Sequence, residues 1–295
     1  MTGPERGFLL LASQLGNPQR KPLTVAQMRV IANRVMAAPT PTENREITEQ
    51  DLYALGCSEE LARRIVALLS ETALLDRYLR KGARAGCMPL TRVSPGYPEE
   101  VWQRLRLDSP GCLWCKGDVS LLNTPKISLV GSRALQRENE QFAREVGRQA
   151  ALQGYTLVSG NAVGADWEAQ QACLDAGGSV ISVVAYELNR HPLKDRVLYM
   201  AEEGYDEPFS PQRALSRNRV IHSLGQKTFV AQSSLEKGGT WDGTVRNLRF
   251  HWSPVFCFDD GSESVSRLVQ MGAREIQMED LSDIGALRNE NESLI

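Results

Sequence analysis

The spacing of hydrophobic residues predicts an all-helical region at the start of the chain. Between residues 8 and 86, apolar side chains recur three and four positions apart, as at Val25, Met28 and Ile31. Residues at these spacings share one face of a helix, so short helices can pack together through their apolar faces. We therefore predict a small helical N-terminal domain over residues 1–88.

Prolines and a glycine hairpin are expected to divide this region. Pro39 and Pro41 break the helical pattern that precedes them. Residues 52–56 and 59–69 then predict two helices joined by a hairpin that contains Gly56. Two interpretations of the hairpin stay open: an ordinary helical connection, or a helix-hairpin-helix element whose backbone amides contact a DNA phosphate.

Residues 89–125 have a different pattern, in which prolines and glycines separate short apolar segments. Large apolar residues in this segment, such as Trp102 and Trp114, would be exposed unless they packed against a neighbouring domain. We therefore predict a linker that packs on the domain after it.

From Lys126 onwards, short apolar runs alternate with helical periodicity, which is typical of a parallel sheet covered by helices on both faces. The predicted strands cover residues 127–130, 155–158, 180–184, 227–232 and 255–258. The predicted helices cover residues 138–152, 163–176, 193–201, 212–224, 240–250 and 265–271. This α/β domain is expected over residues 126–280, and a loosely ordered, acidic tail over residues 281–295.

Small, hydrogen-bonding residues follow three of the predicted strands. They are Gly131, Ser132 and Arg133; Ser159, Gly160 and Gly164; and Lys237, Gly238, Gly239 and Thr240. Because parallel strands end at the same edge of a sheet, we expect the three loops to converge there. Loop amides and helix N-termini at such an edge can hold a phosphate, and Arg133 and Lys237 would add positive charge. Each loop taken alone is also compatible with a plain turn.

Arg217, Asn218 and Arg219 place two guanidinium groups and an amide on one predicted helix. Residues two positions apart on a helix point in different directions. One arginine would therefore bind a ligand while the other forms an internal salt bridge. A solvated basic turn is the alternative, but apolar residues flank the segment.

Composition and motifs argue against several function classes. The formal net charge of -2 at pH 7 means that any anion site must be local. Neither GxGxxG nor GxxxxGK[ST] occurs, so NAD-dependent redox chemistry and P-loop ATPase activity lose their best support. No cofactor and no catalytic residue is predicted. No apolar run is long enough for a membrane span or a signal peptide, and we expect a cytoplasmic protein.

The six cysteines are mostly scattered, which is typical of free thiols in a reducing compartment. Cys112 and Cys115 alone have the spacing of a metal or redox site. A zinc site needs a second ligand pair, which the three histidines do not supply by their spacing. Packing of small apolar side chains is therefore the favoured interpretation, and no metal site is predicted.

Several of these segments resemble the DNA-processing protein A family (DprA, also called Smf). The resemblance covers the chain from Pro98 to about Phe258 well and the helical region more loosely. The segments are VGSR at residues 130–133, VSG followed by Gly-Ala-Asp at 158–166, ACLDAGGSVISVV at 172–184, RNRVI at 217–221 and KGGTWDGT at 237–244.

The resemblance implies an extended Rossmann-like fold, preceded by a small all-helical domain of the helix-hairpin-helix or SAM-like type. It implies a protein of DNA processing and recombination that binds single-stranded DNA, often as a homodimer, and loads the recombinase RecA without catalysis. It also implies a second basic contact at Lys194, just after His191 and Pro192. The DNA-binding positions expected are Gly131, Ser132, Arg133, Ser159, Gly160, Gly164, Lys194, Arg217, Asn218, Arg219, Lys237, Gly238, Gly239 and Thr240.

The chain departs from the family pattern at three places. His191 and Pro192 stand where a Tyr-Pro motif is usual, and residues 204–215 lack the SE-x-PPG pattern. No winged-helix-like C-terminal domain is expected after residue 280. These departures argue against RecA loading and a role in natural transformation more than they argue against the fold or anion binding.

Two other functions stay open as alternatives. The first is a Rossmann-like nucleotide sensor or nucleoside-phosphate hydrolase, with phage defence as a setting. Related hydrolases use a PGGxGTxxE loop with a catalytic glutamate, whereas Asp242 is the one acidic candidate in the GGTWDGT loop here. The second is a structural interaction module in mobile-element or phage-defence machinery.

Overall fold

The computed structural model describes residues 1–38 and 46–289 of the 295-residue chain. The helix break predicted at Pro39 and Pro41 lies outside the described residues, as do residues 290–295 of the predicted tail. In the part that is described, no helix is both long and apolar enough to cross a membrane.

Helices and strands alternate through most of the described chain. The helices are α1 Gly3–Ala12, α2 Val25–Ala37, α3 Glu49–Ala54, α4 Glu59–Ser70, α5 Thr72–Arg84, α6 Glu99–Leu105, α7 Arg137–Leu152, α8 Ala165–Asp175, α9 Pro211–Leu224, α10 Gly238–Phe250 and α11 Glu263–Gln270. The strands are β1 Met88–Thr91, β2 Cys112–Gly117, β3 Lys126–Val130, β4 Thr156–Ser159, β5 Ser179–Val183, β6 Val197–Glu202, β7 Thr228–Val230, β8 Val255–Phe258 and β9 Arg274–Ile276.

The N-terminal region is helical, from α1 to α5, and threonine side chains cap three of its helices. Thr2, Thr24 and Thr48 each accept a hydrogen bond from the third backbone amide of the helix that follows. Each thereby satisfies one of the amides that the first turn of a helix leaves unpaired. An aromatic cluster then joins this region to the sheet: the ring of Tyr78 on α5 stacks on Tyr205 at 4.4 Å and meets Trp114 edge-on.

A nine-stranded sheet forms the centre of the molecule, with strand order β1-β2-β6-β5-β4-β3-β7-β8-β9. Strands β3 to β9 run parallel to their neighbours, and β1 and β2 are antiparallel additions at one edge. Helices α7 and α8 cover one face, and α6, α9 and α11 cover the other. The predicted α/β fold with a mostly parallel sheet and helices on both faces is confirmed.

The order of the strands defines a switch point. From β3 the chain adds β4, β5 and β6 on one side, then crosses to add β7, β8 and β9 on the other. The connections after β3 and β7 therefore leave the sheet toward opposite faces. A crevice forms between the carboxyl ends of these two strands, which is where open α/β sheets bind ligands.

The segment predicted as a linker over residues 89–125 is instead part of the sheet. It carries α6 and the strand β2, whose register pairs Cys115 with Met88 of β1 and with Met200 of β6. Trp114 in this strand is fully buried, as the apolar pattern required. Strands of four to six residues between prolines and glycines are too short for a clear periodic signal, which explains the difference.

The helix predicted over residues 193–201 is wrong, because residues 197–202 form the strand β6. This segment reads VLYMAE, and all but its last residue are buried between β5 and β2. A short, continuous apolar run fits a strand buried on both faces as well as a buried helix. Only the hydrogen-bonding partners distinguish the two.

Residues 281–289 differ from the loosely ordered tail that the sequence predicted. Leu281 and Ile284 are fully buried in the main core, and Leu287 is nearly so. The Lys227 ammonium group donates a hydrogen bond of 2.7 Å to the Ile284 carbonyl oxygen. The three apolar residues recur every third position between small and polar residues, so this segment has one buried face.

Cys112 and Cys115 lie on opposite faces of the sheet. Cys112 belongs to the core on the α7 side, and Cys115 belongs to the core on the α9 side. All six cysteines are buried as free thiols. This arrangement agrees with packing residues, since thiols on opposite faces of a strand cannot converge on one metal ion.

A buried histidine is expected to make stability depend on pH. His222 on α9 is fully buried, its Nδ1 atom lies 3.0 Å from the Asn247 amide nitrogen, and burial lowers its pKa to about 3. The unfolded chain, with an ordinary histidine pKa of 6.5, therefore binds a proton that the folded chain rejects between these values. His222 should lower the free energy of unfolding by up to about 1.4 kcal/mol for each unit of pH decrease in this window.

Urea denaturation between pH 7 and pH 4 measures this effect. His222→Gln should reduce the slope of unfolding free energy against pH, and His251→Asn, at an exposed position, is the control variant. An equal slope in the native chain and the His222 variant would contradict the prediction.

Candidate functional site

Three loops meet at the carboxyl ends of β3, β4 and β7, as the sequence analysis predicted. The amide of Ser132 donates a hydrogen bond of 3.0 Å to the Gln232 carbonyl, and the amide of Ala165 donates one of 3.2 Å to the Ser132 carbonyl. The first loop is therefore bonded to both of the others. We refer to the three loops together as the switch-point edge, which consists of residues 131–136, 160–164 and 231–240.

The first loop presents an arginine to solvent. Gly131 is packed so closely between Ala165 and Ala231 that a side chain there would overlap the Ala165 methyl group. The chain then emerges from the sheet, and Arg133 is exposed. Its guanidinium group forms no hydrogen bond or ion pair with any described residue. An incoming anion would therefore not have to displace an internal partner.

The second loop is shaped by a buried carboxylate. Asp166 accepts hydrogen bonds of 3.1 Å from the amides of Gly160 and Ala162. Burial raises the pKa of this carboxyl, while Arg217 and the two amide bonds act in the opposite direction. Asp166 thus holds the loop that precedes its helix, and the cap position itself belongs to Gly164.

Gly164 brings the second loop against the first. Its φ of 89° lies in the region that favours glycine, and a Cβ atom there would lie 2.5 Å from the Ser132 carbonyl oxygen. A larger residue would separate the two loops, so this position is a structural requirement of the switch-point edge.

The two remaining predicted residues of this strand end are buried. The Ser159 hydroxyl accepts a hydrogen bond of 2.5 Å from Gln170 and has no exposed surface. Gly160 is covered by the Arg217 guanidinium group, which occupies the place of a side chain. The structure therefore places Ser159 and Gly160 below the exposed surface of the switch-point edge.

The three polar residues of α9 have different environments. Arg217 is buried beneath Gly160 and donates a hydrogen bond of 2.7 Å to the Val183 carbonyl oxygen, and burial lowers its pKa. Arg219 forms an ion pair of 2.9 Å with Glu202. Asn218 donates to the Gly239 carbonyl at 2.9 Å and so anchors the third loop. The predicted internal salt bridge is the one made by Arg219, while Arg217 supports the second loop from below.

The third loop ends at the N-terminus of α10. Lys237 occupies the cap position with its side chain exposed and makes no side-chain hydrogen bond to the helix. Gly238 follows with a φ of 83°, and Gly239 and Thr240 are partly exposed. The first backbone amides of a helix carry partial positive charge, and here no side chain of the cap residue satisfies them.

Lys194 lies toward the amino end of the sheet, because Arg196, two residues later, accepts a hydrogen bond of 2.9 Å from the Val180 amide at the start of β5. It is exposed in the loop after β5, and its charge helps to lower the pKa of His191, after burial and Lys116. The His191 ring lies 4.8 Å from Tyr186, whose hydroxyl accepts a hydrogen bond from Asn161 of the second loop. The part of this loop around His191 is thus linked to the second loop, whereas Lys194 itself lies away from the switch-point edge.

The residues that connect the loops were not predicted from the sequence. Gln232 supplies its backbone carbonyl to Ser132 and its side-chain oxygen to the amide of Gln136 at 2.9 Å. Asn139 of α7 donates to the Ala231 carbonyl at 2.8 Å. A lone glutamine after a strand and an asparagine inside a helix carry no recognisable motif, so no sequence signal was available.

The sequence model of one family, described as DNA recombination-mediator protein A, matches residues 89–284. The chain belongs to this family. The resemblance identified in the sequence analysis is thereby confirmed, and the matched region contains the whole switch-point edge.

Individual members of the family are distant relatives of this chain. The DNA processing protein DprA of Streptococcus pneumoniae is 29% identical over 57% of this chain and 64% of its own length. The Bacillus subtilis DprA is 27% identical, over 68% of this chain and 72% of that protein. Protein Smf of Escherichia coli is 30% identical, over 56% of this chain and 48% of that protein. The chain therefore spans between about half and three quarters of these relatives.

Two solved structures of DprA proteins share the fold. The X-ray structure of DprA from S. pneumoniae superposes with a TM-score of 0.74 at 22% identity and covers 98% of this chain and 99% of that one. A second structure, of Helicobacter pylori DprA, is described for its mode of single-stranded DNA binding. It superposes with a TM-score of 0.57 at 22% identity, and the match covers 67% of this chain and 95% of that one.

Proposed function

We propose that this chain binds single-stranded DNA by its phosphates at the switch-point edge and acts as a recombination mediator. The observation that carries the proposal is the pair of exposed cations on the first and third loops: Arg133 and Lys237 form no ion pair with any described residue. In a chain of net charge -2, unpaired cations grouped at one strand edge favour a local anion site.

The backbone supports the same ligand. The N-terminus of α10 and the loop amides offer hydrogen-bond donors to phosphate oxygens, and the glycines let a strand approach closely. Phosphate contacts of this kind carry little sequence information and weaken steeply as salt concentration rises. Binding should therefore be salt-sensitive and tolerant of sequence.

Two features favour binding over catalysis. The Ser159 hydroxyl is buried, and the Asp166 carboxylate is engaged with the Gly160 and Ala162 amides, so neither faces an incoming phosphate. Asp242 lies on α10 and has no described metal-ligating cluster around it. A nucleotide sensor or hydrolase is the alternative function, and the experiment below distinguishes it from DNA binding.

Membership of the recombination-mediator family supports the biological role. The curated relatives are named for DNA processing, and the H. pylori relative is described as a single-stranded DNA binder. We extend the proposal to a homodimer, which would lengthen the site and add cations, and to loading of RecA on the bound strand. DNA binding and RecA loading would both take place in the cytoplasm.

Fluorescence anisotropy with labelled oligo-dT tests the proposal. The native chain should bind the single strand tightly at low salt, bind a duplex of equal length more weakly, and lose affinity as salt increases. Arg133→Ala should lower the affinity by about 10-fold, since it removes one charge-assisted contact. Arg84→Ala removes an exposed, unpaired charge on α5 and is the matched control.

AMP serves as the competitor in the same experiment. At concentrations far above that of the strand it should displace little oligo-dT, because a single phosphate offers few of the contacts. An absence of oligo-dT binding, together with a rise in the thermal unfolding midpoint on adding AMP, would contradict DNA binding and favour the nucleotide sensor.

A further inference from the structure

An exposed tryptophan lies beside the switch-point edge. Trp167 is 50% exposed, whereas Trp114 is fully buried and Trp252 is 5% exposed. Val163, four residues earlier, is 77% exposed. The indole of Trp167 forms no hydrogen bond or aromatic contact with the described residues. A large apolar surface without a partner among the described residues is suited to a partner from outside.

The position of this surface relates it to the proposed phosphate site. Val163 is in the second loop and Trp167 is in the first turn of α8. Gly164 lies between them, and a Cβ atom there would be 2.7 Å from the backbone carbonyl carbon of Arg133. The apolar surface therefore adjoins the backbone of the residue that presents the first cation.

The charges around Trp167 favour a polyanion over an apolar partner. Arg133 and Arg137 are both exposed without an ion pair to described residues, and both lie on the neighbouring first loop and α7. Of the two acids next to Trp167 in sequence, Glu168 forms an ion pair of 2.5 Å with Arg144, and Asp166 is buried beneath the second loop. A flat aromatic surface flanked by cations is the combination that single-stranded nucleic acids use, with phosphates on the cations and bases on the ring.

We propose that Trp167, with Val163 beside it, stacks against an unpaired base of the strand whose phosphates lie at Arg133. This inference rests on the proposed function and adds to it a contact with the bases. Bases in a duplex are already stacked on one another and cannot cover the indole without unstacking. Trp167 would therefore increase the preference for single strands, independently of the phosphate contacts.

The test compares base-containing and abasic strands. Affinities of the native chain, Trp167→Ala and Trp167→Phe are measured by anisotropy with oligo-dT and with an abasic phosphodiester oligomer of equal length. Trp167→Ala should lower the affinity for oligo-dT by about 5- to 100-fold, and Trp167→Phe should restore most of it. Affinity for the abasic oligomer and the salt slope should stay unchanged, because the phosphate contacts persist.

Phe250→Ala is the matched control. Phe250 is 53% exposed at the C-terminal end of α10, about 18 Å along the helix from the switch-point edge at its N-terminus, so its loss should not alter binding. Thermal unfolding of each variant verifies that it is folded. Analytical ultracentrifugation of each variant measures the oligomeric state.

The outcomes separate this inference from the proposed function. If the native chain binds oligo-dT and Trp167→Ala binds it equally well, the stacking inference alone is overturned. It is also overturned if oligo-dT and abasic affinities fall together, or if Trp167→Ala changes the oligomeric state and leaves the affinity per protomer intact. If the native chain binds neither oligomer, both proposals fail.

Discussion

Replacing Arg133 and Lys237 together with alanine should lower the affinity for oligo-dT by about 100-fold, because two charge-assisted phosphate contacts are lost. Both side chains are exposed and unpaired with described residues, so their loss should leave the fold intact. The slope of log affinity against log salt should become shallower, since each single-strand phosphate contact contributes about 0.7. Anisotropy at several salt concentrations measures both quantities.

A second double variant controls for net charge. Arg77 and Arg84 are exposed in the N-terminal helical region and have side chains that are unpaired with described residues. Replacing them with alanine removes the same total charge away from the switch-point edge. Equal losses of affinity in the two variants would mean that binding depends on overall charge. That result would contradict a binding site at the switch-point edge.

Gly147→Ala should destabilise the fold by about 2 kcal/mol, the second large effect that we expect. Gly147 lies where α7 crosses α8, and a Cβ atom there would lie 2.8 Å from the Ala169 carbonyl carbon and closer still to its oxygen. The obstacle is backbone, so the two helices would have to separate. An overpacking cost of about 3 kcal/mol outweighs the gain of about 1 kcal/mol in helix propensity from replacing glycine. Urea denaturation gives the difference directly.

Gly7→Ala provides the comparison for this variant. Gly7 is also inside a helix, α1, but a Cβ atom there would meet only the Leu69 side chain at 4.0 Å. The same substitution should therefore stabilise the chain by up to about 1 kcal/mol, because alanine has the higher helix propensity. A neutral or stabilising Gly147→Ala would show that α7 and α8 can adjust their packing.

The helix crossing matters for function because α7 and α8 carry the first and second loops. Arg133 precedes α7, and Gly164 precedes α8. A displacement of one helix relative to the other would separate the Ser132 carbonyl from the Ala165 amide, which are 3.2 Å apart. Stability at Gly147 and binding at Arg133 are thus connected through the same pair of helices.

Much of the architecture followed from local sequence patterns. The buried strands β3, β4, β5 and β8 are short runs of apolar residues bounded by glycine or polar turns, and their helices have apolar stripes at three-and-four spacing. Parallel connectivity then requires the strand ends to share one edge. The convergence of the three glycine loops could therefore be predicted without coordinates.

Local patterns could not decide which partner a short apolar run would have. Residues 197–202 form the strand β6 because β2 and β5 lie on either side and supply its hydrogen-bonding partners. Residues 281–289 are held by a hydrogen bond from Lys227 and by packing of their apolar residues in the core. In both cases the stabilising contacts join positions far apart in sequence. Periodicity within one segment contains no information about such contacts.

The candidate site also has features that the sequence predicts and features that only the tertiary structure determines. Sequence alone identified the glycine loops and the cations beside them, because those residue types have conformational and electrostatic properties wherever they occur. Only the tertiary structure decided that Arg133, Lys194 and Lys237 are exposed while Arg217 lies beneath Gly160 and Arg219 pairs with Glu202. Burial and pairing depend on which distant elements pack against a side chain, and that is determined when the chain folds.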